Sequence, residues 1–310
     1  MTQPATQTRP AQQPTNQPPE EDEDESAAAK LAALVAAIVV LIRAFANAQN
    51  KATKSAVNAA VARTRSMSEA DWYDSAAITK YATDVAKLVE VSQRQAAALT
   101  NAFQARVLTE LTGKTATPVK QVDVTRLRGI DHDSVYGRVA DEYRYKRSQG
   151  ATAAEAAKLA ALRAEELADM DVTLAVRQQE HAFVKAKKTV LYYRRVIHPE
   201  LAKSGASCGL CIVASTRVYN KAEMKPLHFR CNCVTLAVTD RKYDVGDVIN
   251  QDDLQSIYED AGSNRMKALK ETRYSVHEHG ELGPVLTYKG NRWRGPADVR
   301  EDTDRDKPTP

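Results

Sequence analysis

The run Leu31–Ile42 is twelve residues without one polar side chain, closed by Lys30 and Arg43. As a helix it is apolar on every side for three turns, so it needs burial in a core or contact with a partner or second copy. Twelve residues fall short of the ~20 that a bilayer crossing needs, so no membrane is expected. The helix is predicted to continue through Ala48 to Arg65, with Ser26 as its N-cap and oligomer contacts possible through residues 27–48. Alanine supplies roughly one residue in six, and aromatics only 6%, a balance that suits long helices with small-residue contacts better than a β-sandwich.

Two further helical stretches follow. One runs from about Glu69 to Leu111 and stops at Gly113, with Tyr81, Val85, Leu88, Ser92, Gln95 and Leu99 spaced as one face. The other runs from about Thr152 to Lys188, its start marked by Gly150 and Thr152. Residues 114–130 (Pro118, Val119, Val122, Val124) read as a linker or short strand. From Val190 the character changes. Val190–Ile197 is β-branched and aromatic, and Val234–Val238, Tyr274–His279 and Pro284–Tyr288 are further predicted strands.

The expected fold class is therefore α+β. A helical domain at 26–189 precedes a small β-rich module at 190–294, between a disordered acidic tail at 1–25 and a disordered tail at 295–310. The net charge of +4 is unevenly placed. Residues 1–25 carry −5, largely from Glu20–Glu25, and residues 296–310 carry −2, which leaves +11 on residues 26–295. A basic body between acidic ends tolerates contact with nucleic acid.

The most specific signal is Cys208-x2-Cys211-x16-His228-x2-Cys231-x-Cys233. The N-terminus is polar and then acidic, unlike a secretory signal, so a reducing compartment is expected and clustered cysteines there more often hold metal. A C-x2-C turn presents two thiolates to one ion at ~2.3 Å, and a second knuckle completes a tetrahedron. Four of the five groups Cys208, Cys211, His228, Cys231 and Cys233 are expected to hold a structural zinc. Two disulfides, a redox C-x2-C and four unrelated thiols are the other readings.

Catalytic alternatives find less footing. There is no G-x-S-x-G elbow, and Ser204 and Ser207 near His198 and Glu200 are neighbours in sequence only. His277-Glu278-His279 precedes Gly280 and Pro284 rather than lying in a helical H-E-x-x-H. The catalytic residues stay unassigned. Lys185-Ala186-Lys187-Lys188 reads either as a helix end or as a nucleic-acid contact.

Several of these segments carry a family resemblance. Tyr193-Arg194-Arg195-Val196-Ile197-His198-Pro199-Glu200-Leu201, Ser207-Cys208-Gly209-Leu210-Cys211, Arg217-Val218-Tyr219 and His228-x2-Cys231-Asn232-Cys233 resemble the MuF-like minor head proteins of tailed bacteriophages. The likeness extends to the actinobacteriophage type often labelled capsid maturation proteases. His279-Gly280-Glu281-Leu282-Gly283-Pro284-Val285-Leu286 is similar to their C-terminal signature. The resemblance covers about residues 190–290 and departs from many members at Phe229 and Asn232. It implies a virion protein working inside the procapsid at the portal vertex, assembled in the host cytoplasm. Its implied partners are the portal protein and the major capsid or scaffolding protein, with contact to packaged DNA. A capsid maturation protease and a zinc-containing nucleic-acid-binding factor are the alternatives.

Overall fold

The computed structural model describes residues 20–125, 127–198, 209–223, 233–240, 244–251, 274–279 and 283–288. Four long helices dominate it: α1 (Glu20–Arg65), α2 (Ser75–Thr112), α3 (His132–Ser148) and α4 (Ala153–Ala186). α1 lies along α2 and α4, and α3 lies along the same two helices. The contacts are made largely by small side chains. Ala52, Ala56, Ala60 and Thr64 are buried at four-residue steps on α1, and Ala156, Ala160, Ala164 and Ala168 repeat the step on α4. With no long side chains between them, helix ridges can settle closely into facing grooves.

Local chemistry sets the helix ends. Asp74 accepts a hydrogen bond from the Ala77 N–H at the start of α2, and Gly113 closes that helix at φ 64°, a left-handed conformation that glycine adopts without steric cost. α4 opens with a capping box. The Glu155 N–H donates to Thr152 Oγ1 at 3.2 Å, and the Thr152 N–H donates to Glu155 Oε2 at 2.8 Å. A 3-10 turn, Ala70–Tyr73, leads from α1 towards α2. Its Trp72 stacks on Tyr143 at 4.9 Å and meets Tyr81 edge-on at 5.9 Å, which ties the turn to α3 and α2.

Several expectations change here. α1 is helical from Glu20, so the acidic run enters the helix instead of ending a tail, and Ser26 lies inside it rather than at its cap. Six acids at a helix N-terminus are favoured by the positive end of the backbone dipole. By length and composition α1 is long and apolar enough to cross a membrane, a test that Leu31–Ile42 alone does not pass. Alanines on either side of the run extend it. Its C-terminal half packs into the bundle, while the apolar window is only 22% buried and Val40 is 65% exposed.

On α2 the expected face is displaced. Leu88 and Gln95 are exposed and Leu99 is half-buried, whereas Val89, Ala96 and Thr100 are buried. The inward stripe is chosen by close approach at alanine rather than by side-chain size. The 17-residue helix α3 was not anticipated, because charged residues and tyrosines interrupt its apolar pattern. Residues 114–125 form neither helix nor strand. Side-chain amides hold this strap instead: Asn101 Nδ2 donates to the Val119 carbonyl at 2.6 Å, its Oδ1 accepts the Val119 N–H at 2.9 Å, and Gln179 Oε1 accepts the Val122 N–H at 2.9 Å.

The smaller part is a three-stranded antiparallel sheet of order β2-β1-β3, with β1 Tyr192–Val196, β2 Val218–Asn220 and β3 Val234–Val238. Tyr193 pairs with Tyr219 on one side and Ala237 on the other. Val196, Val234 and Leu236 join the core of the helical body. Within the module expected to be β-rich, Gly209–Ser215 is a helix, α5, packed on β1. Short apolar runs of this kind fit either state, and here the helical one is adopted. β4 (Tyr274–His279) and β5 (Gly283–Tyr288) form an antiparallel hairpin. The chain is thus α+β, with long helices and a small antiparallel sheet.

Candidate functional site

The sheet meets the helical body along β3, and the junction is polar. From α2, Gln104 Nε2 donates to the Thr235 carbonyl at 2.6 Å. From α4, Glu180 accepts the Thr235 N–H at 3.2 Å and the Thr235 hydroxyl at 2.9 Å. Arg177, one turn earlier on α4, ion-pairs with Glu180 at 2.8 Å. Charged side chains at Arg177 and Glu180 interrupt a face that otherwise presents Leu174, Val176 and Phe183. Both are buried, and buried charges are retained when paired and hydrogen-bonded.

Cys233 sits immediately before β3 and is buried. Arg177 Nη2 donates to its carbonyl at 2.7 Å and reaches its Sγ at 3.7 Å. Arg195, from the centre of the sheet, brings Nη1 to the same sulfur at 3.5 Å. Its guanidinium also lies over the Tyr193 ring at 5.9 Å. Cys211 is the third residue of α5 and is buried too. The expected C-x2-C knuckle therefore has its second thiol on a helix against β1.

Cys208, His228 and Cys231 lie outside the described residues. Among the described residues no group of three or more His, Cys, Asp or Glu side chains is placed to hold a metal ion. The part of the donor set that is described, two buried cysteines of which one faces two guanidiniums, has the chemistry a thiolate-bound zinc requires.

The other strand arginine is committed differently. Arg194 Nε ion-pairs with Asp244 at 2.7 Å, and Nη1 reaches Asp247 at 3.0 Å and the Ser215 carbonyl at 2.9 Å. Residues 245–251 are helical, and Asn250 bridges the Arg195 and Ser215 carbonyls while accepting the Ile197 N–H. A Cβ at Gly246 would stand 3.2 Å from Val196 Cγ2 and 3.3 Å from Arg194 Cδ, so glycine lets this helix lie against β1. His198, at the end of the same segment, is buried.

The remaining sequence candidates separate. Glu200, Ser204 and Ser207 lie outside the described residues. His277, Glu278 and His279 are on strand β4, not on a helix. In the lysine cluster, α4 ends at Ala186, Lys187 donates to the Thr117 carbonyl at 2.6 Å, and Lys185 and Lys188 are exposed. That is a helix end fastened to the strap.

A second buried polar centre lies inside the body. Arg128 Nε ion-pairs with Asp171 Oδ1 at 2.7 Å, and the Tyr136 hydroxyl donates to Oδ2 at 2.7 Å. Burial pushes the Tyr136 hydroxyl well above its usual range, and the adjoining Asp171 carboxylate adds to the shift. Tyr136 therefore stays protonated and donates. No family model, curated protein or solved structure matches the chain.

Proposed function

We propose that the chain is a MuF-like minor capsid protein of a tailed bacteriophage. It acts in head morphogenesis inside the procapsid near the portal, with portal and major capsid or scaffolding proteins as partners. The observation that carries this reading is the use made of the motif segment Tyr193–Ile197. It forms the central strand, and both of its arginines are internal struts, Arg194 to Asp244 and Ser215 and Arg195 to Cys233. Side chains spent on joining elements suit a rigid assembly part better than a protease, whose acting groups must reach a substrate. A structural zinc on four of Cys208, Cys211, His228, Cys231 and Cys233 completes the reading. It would tie the segment around α5 to the segment that enters β3, supplying a cross-link in place of a large core. The +11 carried by residues 26–295 suits a DNA-filled interior.

Co-expression with the major capsid protein and portal tests the proposal. Wild type should enter procapsids at low copy number and leave the capsid-protein mass unchanged, while Cys208→Ser should alter head assembly. Capsid-protein cleavage that disappears on substituting a single candidate nucleophile would replace this reading with the maturation protease. Absence of the chain from purified particles would overturn both.

A further inference from the structure

Resting on the zinc reading and extending it, we infer that Cys233 is one of the metal-binding groups and is held as a thiolate by Arg177 and Arg195. These two are positioning residues for its sulfur. Two guanidinium groups from different elements converge on one Sγ, Arg195 Nη1 at 3.5 Å from β1 and Arg177 Nη2 at 3.7 Å from α4. A neutral thiol is a weak acceptor, whereas a thiolate is the form that both accepts from cations and binds metal. The donors are themselves fixed. Arg195 is 2% exposed and stacks over Tyr193, and Arg177 is 9% exposed and anchored by Glu180 and by the Cys233 carbonyl. Arg177 thus holds the backbone and the sulfur of one residue together, fixing the direction in which Sγ points. Outer partners of this kind orient a metal ligand and offset the charge a thiolate site brings into the interior. The assignment narrows the five groups: Cys233 is inside the set of four, and the spare is one of the others.

The full chain, purified without chelator, tests this through zinc content and through the rate at which a chromophoric chelator withdraws the metal. Far-UV circular dichroism is recorded on every variant. Wild type should carry about one zinc, as a closed structural site does. Cys233→Ser should fall below half an equivalent with its helicity intact. Arg195→Met should lose zinc ~10–100-fold faster, the usual cost of removing an outer partner, and Arg195→Lys, which keeps the charge but not the fork, should fall between. If Arg195→Met does not fold, Arg195→Lys supplies the same readout against wild type. A wild type without zinc overturns the zinc reading and this assignment with it. A zinc-bound wild type whose Cys233→Ser variant keeps a full equivalent at the native release rate overturns the assignment alone. So does an Arg195 substitution that leaves release unchanged.

Discussion

The two buried polar centres use the same cation for different tasks. Inside the helical body, Asp171 is a carboxylate with Arg128 on one oxygen and Tyr136 on the other, and both ion-pair side chains are fully buried. At the sheet junction two guanidiniums face the sulfur of Cys233. The first arrangement is an acid satisfied by its donors, and it fastens the segment before α3 to α4. The second sets a cysteine where the first has a carboxylate. The contrast teaches that burial alone does not mark a site, since both centres are buried. The acceptor does, because a carboxylate closes an ion pair and a sulfur presented to two cations is prepared for chemistry that needs a thiolate.

The comparison breaks first at Asp171. Asp171→Ala leaves Arg128 in the interior without its carboxylate and Tyr136 without its acceptor, and should cost ~3–5 kcal/mol. Urea unfolding followed by far-UV circular dichroism reads this as a large drop in midpoint. A loss below ~1 kcal/mol would show a pair no stronger than an exposed one.

Glu180→Ala should act more locally. It removes the acceptor for the Thr235 N–H and hydroxyl and the partner of Arg177, and costs ~3 kcal/mol by the same reasoning. Here the sheet should loosen from α4 before the helices melt. Limited proteolysis should cut near β3 while helicity is still native, an order that Asp171→Ala should not produce. Simultaneous loss in both variants would mean that the junction and the body unfold as one unit.

Packing gives a smaller test. Ala56→Leu forces extra methylenes between α1 and its neighbours and should cost ~1–3 kcal/mol. Leu88→Ala, on a side chain 44% exposed, should stay within ~0.5 kcal/mol of wild type. The reverse ranking would restore the face that side-chain size suggests.

That reversal shows what the amino-acid pattern could and could not convey. The stops at Gly113 and Thr152 were legible because each depends on one residue's own backbone or side chain. β3 at Val234–Val238 and the hairpin β4–β5 were legible from β-branched and aromatic runs. Which α2 face turns inward was not, since Ala96 and Ala97 are buried by helices distant in sequence. Nor was α3, whose buried Tyr136 and Tyr143 depend on Asp171 and Trp72 from elsewhere in the chain. At the candidate site, Cys211 and Cys233 were visible as metal-ligand types, and Arg194 and Arg195 stood in the motif. Arg177 and Glu180 went unnoticed. Their signal was a charged pair three residues apart on an otherwise apolar helix face, which acquires meaning only once β3 is docked against it.

The smallest expected effect lies where α4 enters the junction. His181 follows Glu180, and its imidazole is held below the usual 6.5 by burial first and by the positive charge of Lys185 second. A lowered folded-state value means that the folded chain prefers the neutral ring. Above pH 6.5 the ring is neutral in both states and the contribution is fully present. As pH falls below that value the unfolded chain takes up the proton first, so stability drops towards the lowered folded value. His181→Gln should flatten this acid-side slope and leave the midpoint at pH 8 nearly unchanged, as read from paired urea titrations at pH 8 and 5.5. The ring is only partly buried, so the slope should be slight. A variant with the same slope as wild type would move the acid sensitivity to another group and leave His181 outside the energetics of the junction.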